Sequence, residues 1–310
     1  MQIEARQTGA TVFCALSAIA ATLWTSCDLR LLTLFGTLAL LWWHCPWRFS
    51  AFDWPDGWLR KAAFVGAVVT AVLVMGLGTK IASMAYPSAS NEWALGYIVL
   101  AAAVWTAGRG KKVVLRTGAI VFWLLVVLYG TIGVCSLEQI NPYPTAGAGG
   151  NHWALALLWL PMARFWSRQP VEVSGKWCAA WAIMAWMPSL LCWLTLGPVR
   201  AANEWFALYN VSQSASILQI LERFEVLVSA AVTAGVFCLL AYLAQLSLSC
   251  CPIGSIKQKA LALLLLTMGV SRLSLAALGT IAAALIVIFW AVLPMTTQLV
   301  KKIKNLAKSS

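Results

Sequence analysis

Apolar residues occupy this chain in long blocks, separated by short clusters of Pro, Gly, Lys and Arg. The blocks do not alternate with a period of two, so a β-barrel has no support, and most are apolar all round, without a polar stripe at helical spacing. A long apolar block reads as a helix in hydrocarbon, where each backbone amide and carbonyl must be satisfied within its own segment. Breaks at charge, Pro and Gly clusters place ten predicted spans at about 9–26, 29–45, 61–85, 92–108, 117–136, 150–166, 175–197, 219–250, 257–271 and 274–298. No polar stretch between them is long enough to fold alone. The expected fold class is an all-α polytopic membrane protein, with residues 1–310 as a single transmembrane domain.

Composition agrees with the pattern: 61% of the 310 residues are hydrophobic, 10% are charged, and there are 18 Trp. The net charge of +12 then has to be explained. With the N-terminus inside, the inner segments hold Arg6; Arg48, Arg60 and Lys61; Arg109, Lys111, Lys112 and Arg116; Arg164, Arg168 and Lys176; Lys257 and Lys259; and the tail lysines 301, 302, 304 and 308. The outer loops hold only Arg30, Arg200 and Arg272. Such an excess in short loops places both termini in the cytoplasm, leaving 299–310 as a cytoplasmic basic tail. Because the cations are divided among six inner segments, they make no single nucleic-acid interface, and anionic lipid headgroups account for them. The stretch "GATVFCALSAIAATLW" (9–24) follows a basic start as a signal peptide does. Its removal would put the remaining charges at odds with the topology, so the reading is a retained first helix.

Enzyme chemistry finds no support in the motifs. The two His, His44 and His152, have no partner at metal-ligand spacing, and the nine Cys show no CxxC. HExxH, GxSxG and GxxxxGK[ST] are absent, and no carboxylate pair lies deep in a span. No catalytic residue, metal or cofactor is expected.

Split at the loop 135–151, the spans divide five and five, giving repeats of about 1–136 and 150–298. An odd number per half inverts the second half relative to the first, as in inverted-repeat transporters with discontinuous first and sixth helices. The sixth span is short, follows Gly147, Gly149 and Gly150, and carries Pro161.

Two stretches sharpen this expectation. In "TAGRGKKVVLRTG" (106–118), Gly110 follows a basic residue, and Arg116 with Thr117 opens the predicted fifth helix. In "SILQILERFEVLVSAAVTAGVF" (216–237), Leu221-Glu222-Arg223, with Glu225 and Gly235, opens a long helix. Both resemble the spore-germination receptor B-subunit family, the GerAB-like branch of the amino acid/polyamine/organocation transporter superfamily. The resemblance extends over 106–144 and 206–245, about a quarter of the chain. It implies a LeuT-like 5+5 fold in the inner membrane of a spore and a small germinant, an amino acid, bound between the first, third, sixth and eighth helices. It also implies partners in an A-type membrane subunit and a C-type lipoprotein subunit. The chain departs from the family in lacking Gly and Pro at the break of the first helix, where it offers Ser17, Thr22 and Thr25, and in lacking an acid in the sixth.

Each candidate residue has a structural reading beside a functional one. A helix over 219–250 would be about 48 Å long, against a hydrocarbon core of about 30 Å, so its outer start projects toward the interface. There Glu222, Arg223 and Glu225 are a charge cluster that fixes helix depth, the acids favoured by the dipole, or a gating and coupling element. Lys80, near the outer end of the third span, snorkels to the interface or meets a substrate carboxylate. The loop with Arg109, Lys111, Lys112 and Arg116 is a topology anchor or a docking surface. The expected ligand pocket draws on Ser17, Thr22, Lys80, His152, Trp159 and Tyr242, all of which ordinary helix packing also explains. Three functions remain open: a germinant sensor, a secondary amino-acid or amine carrier working by alternating access, and a degenerate scaffold subunit. A proton-coupled carrier needs an ionisable group within the bundle, and the candidates here all lie toward the outer face.

Overall fold

The computed structural model describes residues 47–49, 58–85, 92–137, 140, 171–173, 187, 190–197, 199–200, 207–214, 224–251 and 255–270, with single positions between 288 and 307. Within these residues the fold is helical except for one short ribbon. The helices are α1 (Trp58–Ala85), α2 (Glu92–Gly108), α3 (Lys111–Cys135), α4 (Ala207–Ser214), α5 (Phe224–Cys250) and α6 (Ile256–Val270). Strands β1 (Trp47–Phe49) and β2 (Val171–Val173) pair antiparallel, with Arg48 opposite Glu172. Two helices, α3 from Lys112 and α5 from Val226, are long and apolar enough to cross a membrane.

α5 is the axis of the described bundle. It packs against α1, α2, α3, α4 and α6. Its 27 residues span about 40 Å. Leu239, Tyr242, Leu243 and Leu246 are wholly buried along it. α2 presents Leu100, Ala103, Val104 and Ala107 to the core, a stripe at helical spacing, while Ala101 and Ala102 are exposed. The small side chains in that stripe let the helices approach closely. Three buried hydroxyls are satisfied within their own helices: Thr70 donates to the Gly66 carbonyl at 2.7 Å, Ser247 to Leu243 at 2.9 Å and Thr267 to Leu263 at 2.7 Å, whereas Ser136 Oγ and the Tyr129 hydroxyl are buried without a partner among the described residues. This local bonding removes the cost of an unpaired donor in an apolar interior.

Three contacts gather the helix ends. Arg60, in the first turn of α1, donates from Nε to the Cys250 carbonyl (3.0 Å) and from Nη2 to the Ser249 carbonyl (3.1 Å). A cation there satisfies the orphan carbonyls at the end of α5 and opposes the negative end of its dipole. A Cβ placed on Gly108, at the end of α2, would lie 4.0 Å from Ile256 Cγ2, at the start of α6. The ribbon joins 47–49 to 171–173. These turns were all predicted to be inner, and the contacts put the start of α1, the α2–α3 turn and the α5–α6 turn at one end of the bundle.

Several boundaries differ from the sequence reading. α3 begins at Lys111, so Arg116 and Thr117 lie in its second turn and do not open it. The cause is Gly110, whose φ of 107° and ψ of 164° suit only glycine, so the chain turns there and the helix starts at the next residue. The Gly110 carbonyl accepts the Val113 amide at 3.1 Å. α6 starts with a box in which the Ser255 amide donates to Gln258 Oε1 at 3.0 Å. α4, in a predicted outer loop, and the three-residue strands were not anticipated. α5 is described from Phe224, five residues after the predicted start. The ten-span arrangement and its repeats extend over residues outside those described.

Candidate functional site

The cleft that the described helices enclose lies between α1, α2 and α5. Met75 and Thr79 of α1, Gly96 and Val99 of α2, and Thr233 and Val236 of α5 line it. Two glycines set how closely its walls approach. A Cβ on Gly78 would come within 2.8 Å of Val236 Cγ1, and a Cβ on Gly96 would collide with Thr79 Cγ2. Glycine at these two positions therefore lets the three backbones approach where no side chain fits.

The cleft is apolar apart from two hydroxyls. Thr79 Oγ1 donates to the Gly76 carbonyl and Thr233 Oγ1 to the Ser229 carbonyl, both at 2.8 Å. Their protons are engaged, and each oxygen keeps acceptor capacity toward a guest. The free space is about 20 Å³, room for one water. Pockets that hold small molecules are more than ten times larger, roughly 300 Å³ upward. In this conformation the cleft does not hold an amino acid.

The expected site residues do not converge here. Ser17, Thr22, His152, Trp159, Glu222 and Arg223 lie outside the described residues. Lys80 follows Thr79 in α1, so its backbone adjoins the cleft. Glu225 is the second residue of α5. Tyr242 is fully buried in the packed middle of α5 and does not line the cleft. Gly110 sits at the other end of the bundle, beyond the end of α2 and about 20 Å along the helix from Gly96, and Arg116 follows in the second turn of α3.

Sequence reasoning missed Thr79, Gly96 and Thr233 as lining residues. The only signal for them was the small-residue run at Gly76-Leu77-Gly78, which points to close packing. It also left Arg60 as one inner cation among several, whereas the structure ties its guanidinium to the end of α5. The buried polar side chains among the described residues, Thr70, Thr79, Thr106, Ser136, Ser212, Ser229, Ser247 and Thr267, are all hydroxyls. A scan of protein-family models and a search of curated proteins return no match to this chain.

Proposed function

We propose that the chain is a membrane-embedded B-type subunit of a spore nutrient-germinant receptor, with a ten-helix 5+5 fold, that senses a small germinant and passes its occupancy to partner subunits. The observation that carries the membrane part is the outer face of α3. Ile120, Trp123, Leu124 and Val127 are more than half exposed there, opposite a buried face of Val121, Leu125, Leu128 and Ile132. A helix that is apolar on both faces needs an apolar surround. The receptor part rests on the resemblance carried by Gly110, Arg116 and the Leu221-Glu222-Arg223 stretch.

A sensor is favoured over a proton-coupled carrier because no Asp, Glu, His, Lys or Arg is buried among the described residues. The tightness of the cleft fits a ligand-dependent equilibrium, in which a germinant stabilises a more open arrangement by binding it better than the closed one. Binding would bias the contacts of α5, the helix shared by all its described neighbours. The signal would then reach an A-type membrane subunit and a C-type lipoprotein.

The test is affinity purification of the tagged chain from gently solubilised membranes of a spore former, followed by mass spectrometry. Recovery with an A-type subunit and a lipoprotein is the expected result. A chain recovered alone that drives amino-acid uptake into liposomes would establish a carrier and overturn the sensor reading.

A further inference from the structure

The basic end of the bundle carries more than a count of charges. The α2–α3 turn and the first turn of α6 meet where Gly108 approaches Ile256, 4.0 Å from an added Cβ. Arg109, Lys112, Arg116 and Lys257 are exposed around this junction and Lys259 is half-buried. None of these cations has a carboxylate partner among the described residues. Arg109 is held in place: its guanidinium carbon lies 4.7 Å from the centroid of the Trp105 ring. That contact fixes a positive charge above an exposed aromatic face.

Directly next to the cations the surface turns apolar. Trp105 and Ile256 are both more than 60% exposed. A cationic rim above an apolar strip is the complement of one molecule class, an anionic group joined to hydrocarbon chains. An acidic peptide would pair with the cations and leave the strip in water. Given the membrane reading, on which this inference rests, the strip faces acyl chains and the rim lies at the headgroup level.

We infer that the junction of the α2–α3 turn with the start of α6 is a binding site for an anionic phospholipid, its phosphate held by Arg109, Lys112 and Lys257 and its chains lying along Trp105 and Ile256. Bound there, the lipid bridges two helix pairs and ties the basic end to the inner leaflet.

The test uses the full chain, purified in detergent and titrated with phosphatidylglycerol or phosphatidylcholine under native mass spectrometry. The wild type is expected to retain phosphatidylglycerol about 100-fold more tightly than phosphatidylcholine. The R109Q/K112Q/K257Q variant should lose that preference, with affinity for the anionic lipid falling about 100-fold at roughly fivefold per cation. A K301Q/K302Q/K304Q variant, with the same charge loss in the tail, should keep it. All three substituted positions at the junction are exposed, so an unchanged unfolding temperature is expected and checks the fold. An unaltered preference in the junction variant, or an equal loss in the tail variant, would overturn the site. Recovery of the chain in the soluble fraction of cells would instead overturn the membrane reading beneath it.

Discussion

Two glycines and one arginine carry more of the packing than their size suggests. The α1–α2 contact leaves no space at Gly96, because the Thr79 methyl occupies the place of a Cβ, and Thr79 is fixed by its own bond to Gly76. Gly96→Ala is therefore expected to destabilise the protein by about 1–3 kcal/mol through overpacking, read as a lower unfolding temperature in detergent. Gly130→Ala, inside α3 with nothing within 4 Å of its added methyl, is the control and should stabilise by about 0.5–1 kcal/mol through helix propensity. Gly110→Ala places a side chain at φ 107° and should cost about 1–3 kcal/mol from backbone strain alone. Arg60→Ala removes two charge-assisted bonds at 3.0 and 3.1 Å and leaves the Ser249 and Cys250 carbonyls without that partner. Hydrogen bonds to a charged group contribute about 1.5–3 kcal/mol each. Arg60→Lys, able to restore the charge but not the fork, should recover only part of the loss. If all three variants unfolded like the wild type, these contacts would not be part of the native packing. Such effects could not be read from the sequence. A glycine inside an apolar run is visible, but the residue that faces it belongs to another helix 17 or 158 positions away, as Gly96 with Thr79 and Gly78 with Val236.

At the scale of elements, the long helices were legible because length and uninterrupted apolarity are local properties of the chain. α2 occupies the residues predicted for the fourth span, and α6 lies within one residue of the ninth. α3 starts six residues early because its first two turns carry Lys112 and Arg116, which a hydropathy reading assigns to the loop. α4 was missed because eight residues with Asn210 and Gln213 are too short and too polar to read as a span. The ribbon was missed because three residues set no period, and its pairing depends on segments far apart in sequence. The site was less legible than the helices, since a cleft lined by apolar side chains, two hydroxyls and two glycines from three helices leaves no motif. The outer face of α3 gives the prediction proper to this scale. Trp123→Lys, at the middle of the helix, should reduce membrane insertion by about 2.5–3.5 kcal/mol in a glycosylation-based insertion assay. On a water-facing helix the same change would be neutral. On the buried face Leu125→Ala should instead leave insertion intact and lower unfolding stability by about 2–5 kcal/mol.

At the scale of the whole molecule, the distribution of cations and the packing agree on one arrangement. Charge asymmetry predicts that the turns near Arg60, Arg109 and Lys257 share a side, and the contacts of Arg60 with the end of α5 and of Gly108 with Ile256 bring those turns together. The opposite ends of α1 and α3, at Ala85 and Cys135, then lie across the bundle. On the proposed reading this bundle spans a membrane with its basic end in the cytoplasm. Reporter fusions after Gly110 and after Ile140 test it most directly. The account predicts fluorescent protein at the first position and active alkaline phosphatase only at the second, with both fusions in the membrane fraction. Reporters on the same side, or fusions recovered in the soluble fraction, would contradict it.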